Sequence, residues 1–322
     1  MKMKAVLLEA SAISKGDVSF APVEALCDLK TFERTTEQEK WDRLRDAEII
    51  LDNKLIIDEE VLSRYPSIRY IGVCATGYNV IDLEAARRHN VTVTNVPAYS
   101  TASVAQHTMA LLLDLASKIT LHSESVRRGG WVHSPVFCYW EAPVTELAGR
   151  TLGIVGYGSI GRSVARIAAS LGMNILVSTR HPEKYTASAD DTLHFVSFDE
   201  MMSSSDAITF HCPLTDETEH MVNADTISRM KDGVFLINTA RGGLVNEADL
   251  AAALKSGKVA GAGVDVISEE PMKPDNPLLT APNILITPHI AWASIEARTR
   301  LVNQIAGNLS AWLEGRPVNV VS

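Results

Sequence analysis

The sequence predicts an α/β protein made of two doubly wound parallel-sheet domains, and three observations predict it. Short apolar, β-branched runs alternate with segments of helical period along almost the whole chain, the pattern of βα units that assemble a parallel sheet. At 322 residues the chain exceeds what one hydrophobic core comfortably fills. Midway, the glycine fingerprint Gly156-Tyr-Gly158-Ser-Ile-Gly161 opens a second stretch of α/β order, after a first stretch that has none of its own.

In the first stretch, residues 4–8, 48–51, 68–73 and 91–94 read as strands. Thr35-Thr-Glu-Gln38 offers a capping box to a helix over 41–47. Cys74-Ala75-Thr76-Gly77-Tyr78 follows the third of these strands, and its small residues suit backbone contact with a small anion beyond a strand's carboxyl end. They equally suit a plain turn into a helix over 79–90. After Pro97 one long helix is expected over 101–128, with Val104, Thr108, Leu111, Leu112, Leu115 and Ile119 on one broad face. Its His107 and His122 have no metal-type partner at i+4 and read as packing or surface residues. The next segment opens at Gly130 and closes at Ala148. Trp131, Phe137, Tyr139 and Trp140 stand there among prolines without a period, which reads as a subunit-contact arm or as a loop packed on its own domain.

The fingerprint lies between a strand over 151–155 and a helix carrying Val164, Ala168 and Leu171. Gly172 ends that helix, and a second strand runs over 174–178. Gly156 permits the tight turn, Gly158 lets backbone N–H groups approach a pyrophosphate, and Gly161 lets helix and strand pack closely. The second domain is therefore expected to be a Rossmann dinucleotide-binding domain. Further strands follow near 195–196, 207–210, 234–238, 259–266 and 284–287. A final helix over 294–314 needs a surface, and the first domain is the simplest one. The expected division is 1–99 with 291–322 as a discontinuous substrate domain, and 100–290 as the cofactor domain inserted into it.

Composition narrows the function classes. With 46% apolar and 21% charged residues the chain has an ordinary globular make-up, and its net charge of −9 argues against nucleic acid or an anionic membrane as partner. The N-terminal apolar run is too short for a signal-peptide core, and the stretch over 109–113 breaks at Asp114, far short of a membrane span. A cytoplasmic protein is expected. Four scattered cysteines give neither a disulfide framework nor a zinc knuckle, and no metal site is predicted.

In the second half, strand after strand ends in polar residues: His211-Cys-Pro213, Asn238-Thr-Ala-Arg241, Asp265 and Thr287-Pro-His289. Strand carboxyl ends are where a doubly wound sheet builds its site, so these groups should converge. Together with the fingerprint, Gly263-Val-Asp-Val266, Glu270-Pro271 and Thr287-Pro-His-Ile290, they resemble the D-isomer-specific 2-hydroxyacid dehydrogenases over essentially the whole chain. Ala75-Thr-Gly-Tyr-Asn79, the residues 95–101 and Ala291-Trp292 are most similar to the hydroxypyruvate reductase (glycerate dehydrogenase) branch. The resemblance implies a flavodoxin-like substrate domain and reduction of small 2-oxo acids, hydroxypyruvate and glyoxylate, to D-2-hydroxy acids. Another D-2-hydroxyacid or phosphoglycerate dehydrogenase, or a dinucleotide-sensing relative without catalysis, are its alternatives.

It also implies roles for residues. Arg241 would hold the substrate carboxylate, His289 would protonate the keto oxygen, and Glu270 would orient the imidazole and favour its protonated form. Ala75, Thr76 and Gly77 would close on the substrate from the other domain. Besides Gly156, Gly158 and Gly161, the cofactor would be lined by Thr76, Thr108, Ser159, Ile160, Cys212, Pro213, Thr218, Thr239, Ala240, Arg241, Asp265 and His289. One departure stands out. NAD-using members usually end the second fingerprint strand with an acid, whereas this chain has Ser178-Thr179-Arg180. Hydroxyls and a guanidinium would welcome a 2′-phosphate, so NADP(H) is the expected cofactor, with NAD(H) the alternative in which Arg180 stacks on adenine. A homodimer is expected through the arm over 130–148.

Overall fold

A computed structural model describes residues 2–185 and 192–322. The chain divides into two compact units, Met1–Ser100 with Trp292–Ser322, and Thr101–Ala291.

The first unit is organised on five parallel strands, β1 (Lys4–Leu7), β2 (Asp28–Thr31), β3 (Ile49–Asp52), β4 (Tyr70–Val73) and β5 (Thr92–Thr94), in the order β2-β1-β3-β4-β5. That is the flavodoxin-like order. β3 and β4 are buried at every residue, as their largely apolar runs require of strands covered on both faces, although β3 ends in the buried Asp52. One face carries Leu7, Ile49 and Leu51 against Ala297, Leu301, Ile305 and Leu309 of the helix Ile295–Leu313, which Ser294 caps. The other face packs Val6, Ile50, Ile71 and Val93 with Leu62 and Ala85. The charged edge strand β2 has too little apolar periodicity to be legible, and only Leu29 of its four residues is not exposed. The capping box sits one residue later than expected. Thr36 and Glu39 form it and start the helix Glu37–Arg43, while Thr35 is buried and donates to the Leu8 carbonyl.

The second unit holds seven parallel strands, β6 (Thr151–Val155), β7 (Asn174–Ser178), β8 (Leu193–Phe195), β9 (Ala207–Phe210), β10 (Val234–Asn238), β11 (Val259–Val264) and β12 (Ile284–Ile286). Their order is β12-β11-β10-β9-β6-β7-β8, so the chain leaves the central β6 first to one side and then to the other. The carboxyl ends of β6 and β9 flank this reversal, where such sheets hold ligands. The long helix expected over 101–128 is two helices, Thr101–Ser117 and Ile119–Arg127. Lys118 adopts a left-handed φ of 54°, and the Asp114 side chain accepts from Thr120 N at 2.8 Å, so an aspartate within the pattern supplies a break and the start of a new helix.

Candidate active site

The fingerprint turn shows why each glycine stands where it does. Gly156 follows β6 at φ 91°, and a Cβ there would lie 2.6 Å from the His211 carbonyl oxygen. A Cβ on Gly161 would lie 2.2 Å from the Gly156 carbonyl oxygen. Gly158 differs: among the described residues, its two chain neighbours aside, nothing lies within 4 Å of its would-be Cβ. It is also the N-cap of the helix Ser159–Ser170, which no side chain caps, whereas Ser197, Asn223, Asn246 and Ser294 each cap the helix they precede. Open space before uncapped N–H groups at a helix N-terminus is a cradle for an anion, and a dinucleotide pyrophosphate fits it. Gly158, Ser159, Ile160 and Gly161 make this cradle. At the end of the neighbouring strand, Ser178 O accepts from Gly156 N at 2.8 Å. Arg180 beyond it is exposed and ion-paired to Glu217.

Three loops, beyond β10, β11 and β12, bring Arg241, Glu270 and His289 into one frame. Asn238 pins the first: its Nδ2 donates to Arg241 O at 2.8 Å and its Oδ1 accepts from Ala240 N at 3.1 Å. The following Gly242 lies so near the next loop that a Cβ would fall 1.8 Å from the carbonyl carbon of Ile267. Arg241 is exposed and donates to Ala240 O, and among the described residues it pairs with no carboxylate. Glu270 stands three residues beyond Ile267, and its Oε2 accepts from His289 Nδ1 at 2.7 Å. The two side chains are each about one-third exposed. An ionised carboxylate only accepts, so Nδ1 carries the proton and Nε2 is left to face a ligand.

Other expected residues serve the frame around this group. Asp265 is 2% exposed, and its carboxylate accepts from Ile290 N and Ala291 N at 2.8 Å each and from Thr287 Oγ at 2.6 Å. Thr108 is buried, its hydroxyl 2.8 Å from that of Thr239. Thr218 Oγ accepts from Thr215 N at 2.8 Å and lies 2.8 Å from Pro213 O, closing the turn after β9. Burial pushes the Cys212 thiol up to about 11 and holds His211 down at about 3, so neither is charged near neutrality. His211, at a strand end like His289, has the Thr209 hydroxyl at 3.1 Å as the one side-chain hydrogen-bond partner of its ring among the described residues.

In the first unit, Ala75, Thr76 and Gly77 form the loop leaving β4. Ala75 O accepts from Val96 N at 3.0 Å and Thr76 O from Asn95 Nδ2 at 2.7 Å. Among the described residues none of the three backbone N–H groups has an acceptor. Carbonyls spent inward and donors left outward suit an anion.

Residues 109–291 match the family described as D-isomer specific 2-hydroxyacid dehydrogenase, NAD binding domain. The chain belongs to this family. A hydroxypyruvate reductase of Blautia hydrogenotrophica is 44% identical over 99% of this chain and 100% of its own length. A glycerate dehydrogenase of Methylorubrum extorquens is 42% identical over 91% and 92% respectively. Among solved structures, the TT0316 protein of Thermus thermophilus has a TM-score of 0.87 at 32% identity, covering 99% of this chain and 100% of that one. The protein is thus a dehydrogenase of the D-2-hydroxyacid class that uses a nicotinamide dinucleotide.

Three contributors to the frame escape sequence reasoning. Asn238 belongs to an expected strand-end cluster, but its bonds to Ala240 N and Arg241 O were not foreseen, and Glu217 stands beside motif residues without a motif of its own. His107 lies 2.9 Å through Nε2 from Thr287 Oγ, a partner 180 residues away that no helical spacing reveals.

Proposed function

We propose that the protein reduces hydroxypyruvate and glyoxylate to D-glycerate and glycolate, with His289 as general acid. The observation that carries this reading is the His289–Glu270 pair at 2.7 Å in one frame with an arginine that has no carboxylate of its own among the described residues. A nicotinamide dinucleotide, which Gly158, Ser159 and Ile160 would hold by its pyrophosphate, would supply hydride chemistry at the substrate's C2. Arg241 offers a planar fork to the substrate carboxylate and polarises the neighbouring carbonyl. Glu270 fixes Nδ1–H, so the proton for the keto oxygen leaves from Nε2, and in the reverse direction it returns there. The backbone donors of Ala75, Thr76 and Gly77, which have no acceptor among the described residues, are assigned to an anionic group within the first unit. The activities for which the two relatives are named, hydroxypyruvate reductase and glycerate dehydrogenase, are the two directions of one such reaction.

Loss of nicotinamide absorbance on adding hydroxypyruvate or glyoxylate tests the reading. His289→Ala is expected to lower kcat by about 100-fold or more, and an unchanged rate would refute the assignment.

We further propose NADPH as the preferred hydride donor. Ser178, Thr179 and Arg180 present no carboxylate to repel a 2′-phosphate, and the Arg180–Glu217 pair is exposed on both sides and therefore weak. Steady-state kinetics with both cofactors decide it, and a higher kcat/KM with NADH would reject it. A cytoplasmic setting is supported by four unpaired cysteines, and among the described residues no helix is long and apolar enough to cross a membrane. The exposed arm over 130–148 is assigned to a homodimer contact.

A further inference from the structure

We propose that His107 is a positioning residue for His289, acting through the Thr287 hydroxyl and the Asp265 carboxylate. The proposal rests on the reading of His289 as general acid.

His289 sits at φ 55°, a conformation that a side chain other than glycine adopts only where its surroundings hold it. Asp265 supplies the hold. Its backbone oxygen accepts from His289 N at 2.8 Å, and its carboxylate takes the next two backbone N–H groups, those of Ile290 and Ala291. Asp265 N in turn donates to Asn238 O at 2.9 Å, tying this frame to the loop that carries Arg241.

A buried carboxylate is a dependable anchor only while every acceptor site is satisfied. No arginine or lysine pairs with Asp265 among the described residues; the cation-capable group that reaches it is His107, with Nε2 3.6 Å from Oδ1. Thr287 lies between them. Its hydroxyl has one proton, and at 2.6 Å from Oδ1 it gives that proton to the carboxylate, which only accepts. At 2.9 Å from the same hydroxyl, His107 Nε2 must then be the donor. The order is fixed: the ring N–H donates to the hydroxyl, the hydroxyl donates to the carboxylate, and the N–H groups that follow His289 donate to that same carboxylate. Since His107 is carried by the helix Thr101–Ser117, a rigid element sets the position of a loop residue whose own backbone is strained.

Three variants test this: His107→Ala removes the donor, His107→Gln restores an N–H at similar reach, and Thr287→Val removes the relay with little change of shape. His107→Ala and Thr287→Val are expected to lower kcat by about 10- to 100-fold, the scale on which small misplacement acts, while KM for the cofactor moves less than about twofold. His107→Gln should regain most of the loss. The double variant His107→Ala/Thr287→Val should be no slower than the worse single one, because both cut the same chain of bonds. Hydrogen exchange on the cofactor-free protein gives a readout apart from turnover: Ile290 and Ala291 amides should exchange faster in His107→Ala and Thr287→Val and regain protection in His107→Gln. Unchanged exchange and unchanged kcat in Thr287→Val and His107→Ala would overturn the proposal, as would full additivity in the double variant. If exchange responds as expected but the wild-type protein reduces no 2-oxo acid, the link from His107 to the loop is supported and the functional reading fails instead.

Discussion

Arg241 and Arg180 show one side chain put to two uses, and each carries a prediction. Arg241 is exposed, so Arg241→Lys should leave Tm nearly unchanged while lowering kcat/KM for 2-oxo acids about 100-fold, because an ammonium cannot reproduce the bidentate fork. Arg180 must leave Glu217 to meet a 2′-phosphate. Glu217→Gln should therefore raise the NADPH-to-NADH ratio of kcat/KM a few-fold, and Arg180→Ala should collapse it, both measured at fixed ionic strength. In the other unit, Asp52 is 1% exposed, and burial, with the charge of Glu9 nearby, outweighs the backbone N–H groups of Leu55 and Asn53 and raises it to about 8. In the unfolded chain the same group titrates near 4. Between those values the folded chain binds the extra proton, so the stability this group contributes is complete below about pH 4 and is lost as pH rises through 8. Asp52→Asn should flatten the fall in Tm across that window, and an equal slope in both proteins would disprove the assignment. That Glu270 and His289 stand together was legible because both belong to motifs at strand ends. The work of Asp265 was not, because residue type shows that a carboxylate is present but not that Thr287 and the loop N–H groups occupy it.

The fingerprint turn lets space and conformation be separated. Gly161→Ala would drive a methyl to 2.2 Å from the Gly156 carbonyl oxygen, backbone that cannot step aside without parting the helix Ser159–Ser170 from β6. It should lower Tm and cofactor affinity together. Gly158→Ala meets nothing beyond its two chain neighbours among the described residues, so thermal unfolding of the cofactor-free protein should stay within about 1 kcal/mol of wild type while cofactor affinity falls at least about 10-fold by calorimetry. If both variants behaved alike, the open space before the helix would not be the anion cradle. The order of strand, glycine turn and helix was legible because each glycine offset meets its own steric demand, a tight turn, a close ligand and a close helix–strand contact. The break at Lys118 was not: Ile119 prolongs the apolar period into the second helix, and only the Asp114 side chain turned onto Thr120 N stops the first. Edge strand β2 hid for the opposite reason, since a charged, exposed strand has no period to read.

The two sheets were legible because buried parallel strands need largely apolar runs, and β3, β4, β9 and β10 are buried at every residue. The segment without a period is a different matter. Its order comes from isolated bonds: Trp131 Nε1 to Phe137 O at 2.9 Å, Glu141 N to His122 Nε2 at 3.1 Å, and Ser125 Oγ to Tyr139 OH at 2.9 Å. None of these follows from sequence spacing. They hold the arm in one shape while Phe137 stays 88% exposed and Trp140 70%. Large exposed rings gain by pairing with an apolar surface, so this patch is our proposed contact between two copies. Sedimentation of the wild-type protein should therefore give a dimer. Phe137→Asp and Trp140→Asp together should shift it toward monomer without lowering the Tm measured at low concentration, because neither ring contributes to a core cluster. A wild-type monomer at micromolar concentration would remove the arm's assignment, and a variant that stayed fully dimeric would move the contact elsewhere on the chain.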